Sequence, residues 1–168
     1  MASPNLFLFV RAASQSEYER VYAPIAEPRH PHTILLFEVW KRAEADGGFV
    51  VGRDIPSKSL AAILRDLVLY EPVPDRLDLR VRLAGTACIG HYGMDVTGKL
   101  MSELFDASSF EFNLRSALDV IRTAEPKIFA AELSRLGIVQ GHYEIALLPV
   151  WQPDKSGRWL LCGVFEFD

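Results

Sequence analysis

Residues 77–83 alternate without a break. Leu77, Leu79, Val81 and Leu83 share one side of an extended chain, and Asp78, Arg80 and Arg82 share the other. A period of two over this length is a strand with one buried face. The run before it, Leu67-Val68-Leu69-Tyr70-Glu71, stops at Pro72 and Pro74. The link Val73-Pro74-Asp75-Arg76 has turn chemistry, so the two runs form a hairpin. Three more strand-like runs close the chain at about 127–136, 140–151 and 158–167, with turns at Gly137 and at Pro153-Asp154-Lys155-Ser156-Gly157. An antiparallel meander is the simplest way to pair them. The chain is thus built around five strands, two early and three late.

Helical periodicity fills the spaces between. Leu36, Phe37, Trp40 and Ala43 make a stripe over 32–45, ended by Gly47-Gly48. Ser57 is placed to cap a short helix over 58–65, with Leu60, Ile63 and Leu64 on one side. Gly85, Gly90, Gly93 and Gly98 interrupt the stretch 85–107, which leaves room only for helical turns near 86–91 and 99–105. Ser108 with Glu111 reads as a capping box for a longer helix over 109–124, where Phe110, Leu114, Ala117, Leu118 and Ile121 form a stripe and Pro126 marks the end. One antiparallel sheet with helices on one face is the expected α+β architecture. The last strand, from Trp159 to Phe167, is apolar on both sides. Its second face must be covered by the helix at 32–45, by the N-terminal arm or by another subunit. Trp40, Phe37 and Leu36 are available for this, and a homodimer through that surface is the preferred partner expectation.

Residues 1–31 carry Pro4, Pro24, Pro28 and Pro31. They are expected to form an arm packed on the domain or on a second subunit, with a short helix near 14–22 capped by Ser14 and Glu17. Residues 32–168 then make a single domain, as the length of 168 allows. The 18 Lys+Arg against 22 Asp+Glu leave a net charge of −4, which excludes binding to nucleic acid or anionic membranes through bulk charge. The apolar run Leu6-Phe7-Leu8-Phe9-Val10 lacks a basic residue before it and is a poor signal peptide. It is also far shorter than the ~18 apolar residues a membrane span needs. Two cysteines, Cys88 and Cys162, make no disulfide framework, and a cytoplasmic location with reduced thiols is the expectation.

The order of elements, together with Leu79-Arg80-Val81-Arg82-Leu83-Ala84-Gly85-Thr86, then Gly93-Met94-Asp95-Val96-Thr97-Gly98-Lys99-Leu100 and Ser102-Glu103-Leu104-Phe105, resembles the small single-domain PAS subfamily of proteobacteria. Asp54-Ile55-Pro56, ahead of the first strand, is similar to that subfamily as well. The resemblance covers about 33–167 and is most specific over 79–105. It implies a five-stranded antiparallel PAS sheet with an N-terminal helical cap, and a bacterial sensory module that binds a small molecule or a signalling partner protein. Gly85 lets the chain leave the strand, Thr86 can cap the helix that follows, and Asp95 and Thr97 can bond their own loop backbone. This segment is either the wall of a ligand cavity or a turn that the scaffold needs in order to fold.

Catalytic and metal chemistry find little support. Cys88 and His91 are three apart on a short helix and share a face, yet a metal site needs three or four ligands and no partner pair completes one. The same pair lacks the surroundings of a Cys-His nucleophile, and no P-loop ending follows the glycines. Glu132, Glu144 and Glu166 could serve as acids and bases on neighbouring strands, but a solvated sheet face explains them, and His142 could pair with Glu144 two residues on. The expectation is a non-enzyme with a pocket between the sheet and the segments 86–105 and 109–124. Its lining is Cys88, His91, Tyr92, Met94, Leu104, Phe110, Leu114 and Leu147. Apolar members supply burial, and Cys88, His91 and Tyr92 supply orienting polar contacts. No cofactor is identified. An enzyme with a cone-shaped α+β pocket and a purely structural dimerisation module are the alternatives.

Overall fold

The computed structural model describes residues 18–168; the side chains of Tyr18, His91, Tyr92 and Ser108 lie outside that description. Six strands form one antiparallel sheet: β1 (Tyr18–Ile25), β2 (Leu67–Pro72), β3 (Leu79–Ala84), β4 (Lys127–Arg135), β5 (Ile138–Trp151) and β6 (Arg158–Glu166), in the order β1-β4-β5-β6-β2-β3. The hairpin β2–β3 and the meander β4–β5–β6 form as expected, but the buried face expected for Leu77, Leu79, Val81 and Leu83 holds only at Leu79 and Val81. Leu77 precedes β3 and is 79% exposed, and Leu83 packs on the opposite core beyond a register shift in the hairpin.

β1 is a correction. The expected sheet had five strands, and the segment around 14–22 was expected to be helical. Residues 18–25 instead pair with β4 from Tyr18↔Arg135 to Ile25↔Ile128. Tyr18, Val21, Tyr22 and Ile25 are strand-forming residues, and Pro24 is tolerated because β1 is an edge strand with only one neighbour to bond. The proposed cap at Ser14 and Glu17 lies outside the described residues.

The pleat divides the core into two layers. Val68, Tyr70, Leu79, Val81, Leu133, Ile145 and Cys162 face one side; Leu67, Leu69, Ala146, Leu148, Val150 and Leu161 face the other. The first side, here the inner face, is covered by α2 (Thr86–Tyr92), α3 (Met101–Leu104) and α4 (Ala107–Thr123). The outer face is covered by α1 (Pro31–Ala45) and by two 3-10 turns, Lys58–Leu60 and Leu64–Asp66, which replace the single helix expected over 58–65. Ser57 makes no side-chain cap there. The second cover is therefore α1 of the same chain. Leu36 is fully buried, Phe37 nearly so, and the Trp40 indole N–H donates to the Pro149 carbonyl at 2.8 Å. α1 can come this close because Gly163 carries no side chain: a Cβ there would lie 3.0 Å from Leu36 Cδ2 and 2.8 Å from the Phe165 ring.

α4 starts two residues earlier than its sequence suggests. Its cap is Asp106, whose carboxylate accepts from the Ser109 N–H at 2.8 Å, rather than Ser108. Its stripe behaves as expected: Ala117 and Val120 are buried, and Phe110, Leu114, Leu118 and Ile121 pack against the inner core.

Candidate functional site

The inner face has a wall made of short pieces. β3 ends at Ala84, and the chain turns into α2 at Gly85. A Cβ on Gly85 would fall 2.1 Å from the Arg65 carbonyl oxygen, so only glycine lets the two backbones meet. The Gly85 N–H donates to the Leu67 carbonyl at 2.8 Å, which fixes the start of α2. Gly85, not Thr86, occupies the cap position, and it offers no side-chain bond. After α2, Asp95 holds its own loop by accepting from the Thr97 N–H at 2.9 Å and the Thr97 hydroxyl at 2.7 Å. These bonds pull the Asp95 carboxyl below the usual range. Both residues are exposed, so they shape a surface loop rather than a cavity.

A buried carboxylate positions the next element. Asp78 is 2% exposed and accepts from the Leu79 N–H at 2.8 Å and from the Ser102 hydroxyl at 2.5 Å. It thereby ties α3 to the β2–β3 hairpin. The strand edge of β3 is covered by 98–100, through Gly98 N–H to Val81 carbonyl (2.8 Å) and Val81 N–H to Lys99 carbonyl (2.9 Å).

Of the expected pocket residues, Cys88, Leu104 and Leu147 are buried in the inner core, and Phe110 and Leu114 pack against it. Met94 is 50% exposed, at the rim. His91 and Tyr92 end α2, and their side chains lie outside the described residues. Burial pushes the Cys88 thiol up to about 12, with the Asp95 charge adding to the effect. Burial raises Cys162 as well. Neither thiol is a poised nucleophile.

The sequence reading missed a polar group at the β1 end of this face. Arg20 and Tyr22 are two apart on β1 and both face α4. The Tyr22 ring stacks on Phe112 at 4.7 Å, and its hydroxyl bonds the side chain of Asn113, itself only 7% exposed. Burial pushes the Tyr22 hydroxyl up to about 12, opposed by the neighbouring Arg20 charge. Arg20 Nη1 lies 3.6 Å from Asp106 Oδ2, and the Arg20 side chain is 8% exposed. The signal for it was the alternation of Arg20, Tyr22 and Pro24, hidden by the proline.

The carboxylates weighed for acid–base work do not converge. Glu144 is 1% exposed and accepts from the Arg29 N–H at 3.0 Å and the His30 N–H at 2.9 Å, on the outer face. It anchors the entry to α1. Glu166 accepts from the Tyr143 hydroxyl at 3.1 Å. His142 sits 3.7 Å from Glu132 on the neighbouring strand, and so pairs across the sheet rather than with Glu144. Among the described residues no group of three His, Cys, Asp or Glu side chains is placed to hold a metal ion. A cleft of about 570 Å³ opens at the start of α1, lined by His30, His32, Arg65, Asp66, Glu166 and neighbours. There His30 caps α1, its Nδ1 accepting from the His32 N–H at 3.0 Å and its Nε2 bonding the Glu166 carbonyl at 2.9 Å. Among the described residues no helix is long and apolar enough to cross a membrane.

No curated protein and no solved structure matches the chain. A family model does: the one described as PAS domain matches residues 28–165. A six-stranded antiparallel sheet with short helices over one face agrees with that match. The chain belongs to the PAS domain family.

Proposed function

We propose that this protein is a cytoplasmic sensory module that holds a small ligand between the sheet and α2, α3 and α4. The family is one of sensory and regulatory domains, generally not catalytic, which supports the coarse assignment. The observation that carries the finer reading is the buried polar group of Arg20, Tyr22 and Asn113, set in an otherwise apolar face beneath α4. Binding sites for small molecules have this composition: mostly apolar walls and a few fixed polar groups. The proposed lining is Cys88, His91, Tyr92, Leu104, Phe110, Leu114 and Leu147, with Met94 toward the rim. A ligand that binds one arrangement of α2–α4 better than another shifts the population between them, and a signalling partner protein reads the result.

Native mass spectrometry of freshly purified protein tests this. The expected spectrum shows folded protein carrying an added small-molecule mass that is lost on denaturation. A bare protein that no compound in a metabolite set stabilises against heat overturns the reading.

A homodimer is the second proposal. Leu136 (75% exposed), Ile138 (67%) and Val139 (47%) project from the β4–β5 turn, and Val21 on the edge strand is 60% exposed. A second copy would cover this apolar surface. The same spectra report the mass of the assembly. A monomer at micromolar concentration removes this proposal and leaves the ligand reading standing.

A further inference from the structure

We propose that Arg20 is the anchor for a carboxylate, so that the molecule held beneath α4 is a small acid with an apolar body. This rests on the ligand-sensor reading above and names its ligand class. The Arg20 side chain is 8% exposed, and its Nε and Nη2 are buried with no hydrogen-bond partner among the described residues. A guanidinium has five N–H donors and no acceptor, and a buried donor without a partner is costly. Folding a chain around such a group is favourable when something else satisfies it.

The two unpartnered nitrogens define the shape of that partner. Nε and Nη2 lie on the same edge of the planar guanidinium, and their N–H bonds run parallel. That edge takes two oxygens of one carboxylate at once. The opposite nitrogen, Nη1, faces Asp106 at 3.6 Å. Asp106 in turn is held by the Ser109 N–H at 2.8 Å as the cap of α4. Arg20 is therefore held at one end and unpartnered at the other among the described residues, so a carboxylate reaches it only when α4 and β1 part slightly.

Charge selects among anions. Asp106 already balances much of the Arg20 charge, and a dianion such as phosphate would be repelled by it at this distance. A single carboxylate is matched. The surroundings set the rest of the molecule: Leu133 lies beside Arg20 in the register, Phe110 is one turn along α4 from Asp106, and both belong to the apolar inner core. The Tyr22 hydroxyl, bonded to Asn113, offers a second polar contact two residues along β1. Arg20 lies outside the matched stretch 28–165, so this charge is brought to the inner face by the added edge strand.

The test uses matched pairs: hexanoate with hexanamide and phenylacetate with phenylacetamide, plus inorganic phosphate, titrated calorimetrically into the full chain. Within a pair one carboxylate oxygen becomes an NH2 group, which removes the charge and one acceptor and adds two N–H donors. At least one acid is expected to bind about tenfold or more tightly than its amide. Arg20→Gln should abolish that preference while amide binding persists, and Arg20→Lys, which keeps the charge but not the fork, should retain part of it. Asp106→Asn keeps a capping side chain and removes the competing charge, so it should strengthen acid binding severalfold; this variant serves if Arg20→Gln fails to fold. The carboxylate assignment is overturned if amides bind as well as acids, if the preference survives Arg20→Gln, if phosphate binds better than either acid, or if Asp106→Asn leaves acid binding unchanged. Those outcomes leave the sensor reading intact wherever a neutral ligand binds. Failure of every compound together with a bare native spectrum removes both.

Discussion

The two faces of the sheet are covered in different ways. The outer face carries one 15-residue helix, α1, laid tightly across β5 and β6, with Leu36, Leu60, Ile63 and Leu161 fully buried. The inner face carries α2 and α3, of 7 and 4 residues, a loop between glycines, and the half-buried stripe of α4. On the outer face Glu144 takes backbone N–H groups and Trp40 reaches Pro149, while the buried Thr33 hydroxyl of α1 has no hydrogen-bond partner among the described residues. The inner face buries a guanidinium with two nitrogens unpartnered among the described residues. α4, at 17 residues, is longer than α1 and lies on the inner face, but α2 and α3 beside it are short. Short elements cost less to shift, because each makes fewer contacts, and local opening follows contact density. On the proposed function, ligand response belongs to the inner face, where α2 and α3 are short.

The largest expected effect tests the outer half of that comparison. Leu36→Ala removes a fully buried side chain beside Gly163 and should cost about 2–5 kcal/mol in chemical denaturation. A loss under about 0.5 kcal/mol would mean that α1 does not carry this face. Glu144→Gln comes next. It turns one acceptor oxygen toward a donor where the Arg29 and His30 N–H groups converge, and a loss of about 1.5–3 kcal/mol is expected. Ligand retention in the native spectrum should not change in either variant that remains folded. If it does, the two faces are not separable.

Leu114→Ala probes the inner half. Leu114 is half-buried, so the cost should sit near the low end for leucine truncation, about 2 kcal/mol, while retention of the bound molecule falls. An unchanged melting curve would contradict the buried stripe of α4.

The smallest effect is alkaline. Burial raises the Cys88 thiol from 9.0 to about 12 and the Tyr22 hydroxyl from 10.0 to about 12, both on the inner face. A raised acid keeps its proton longer in the folded state than in the unfolded one. Its contribution is complete below the unfolded pKa and is lost as pH rises toward the folded value. Melting temperature should therefore decline above about pH 9, and Cys88→Ala should make that decline shallower. Alkylation offers a direct check: at pH 8 Cys88 should react far more slowly in folded protein than in urea. Equal rates would place the thiol in solvent.

Most of the scaffold was legible because its signals are local. The alternation from Leu77 to Leu83 and the turn residues before it specify a hairpin, and it forms with Val68↔Ala84 and Pro72↔Leu79 at its ends. The stripe from Phe110 to Ile121 specifies α4. Capping was less legible. Asp106 and Ser108 both stand near the start of the helix, and which one caps it depends on where the chain leaves α3. β1 failed for a related reason. Pro24 argues against a strand in the middle of a sheet, and sequence cannot say that residues 18–25 lie at an edge.

The candidate site divides along the same line. Cys88, Leu104, Phe110, Leu114 and Leu147 come together as expected, because each lies on the apolar side of an element whose period is readable. Arg20 and Tyr22 join them only because β1 pairs with β4, more than a hundred residues away in sequence. The sequence by itself determined the periods of the hairpin, the C-terminal meander, α1 and α4, and most of their apolar sides. That information is written in neighbouring residues. The tertiary structure alone decided that α1 folds back over the outer face, that β1 closes the sheet, and that a basic residue of β1 is buried under the cap of α4. Those outcomes depend on pairing distant segments, and no local pattern encodes a partner's position.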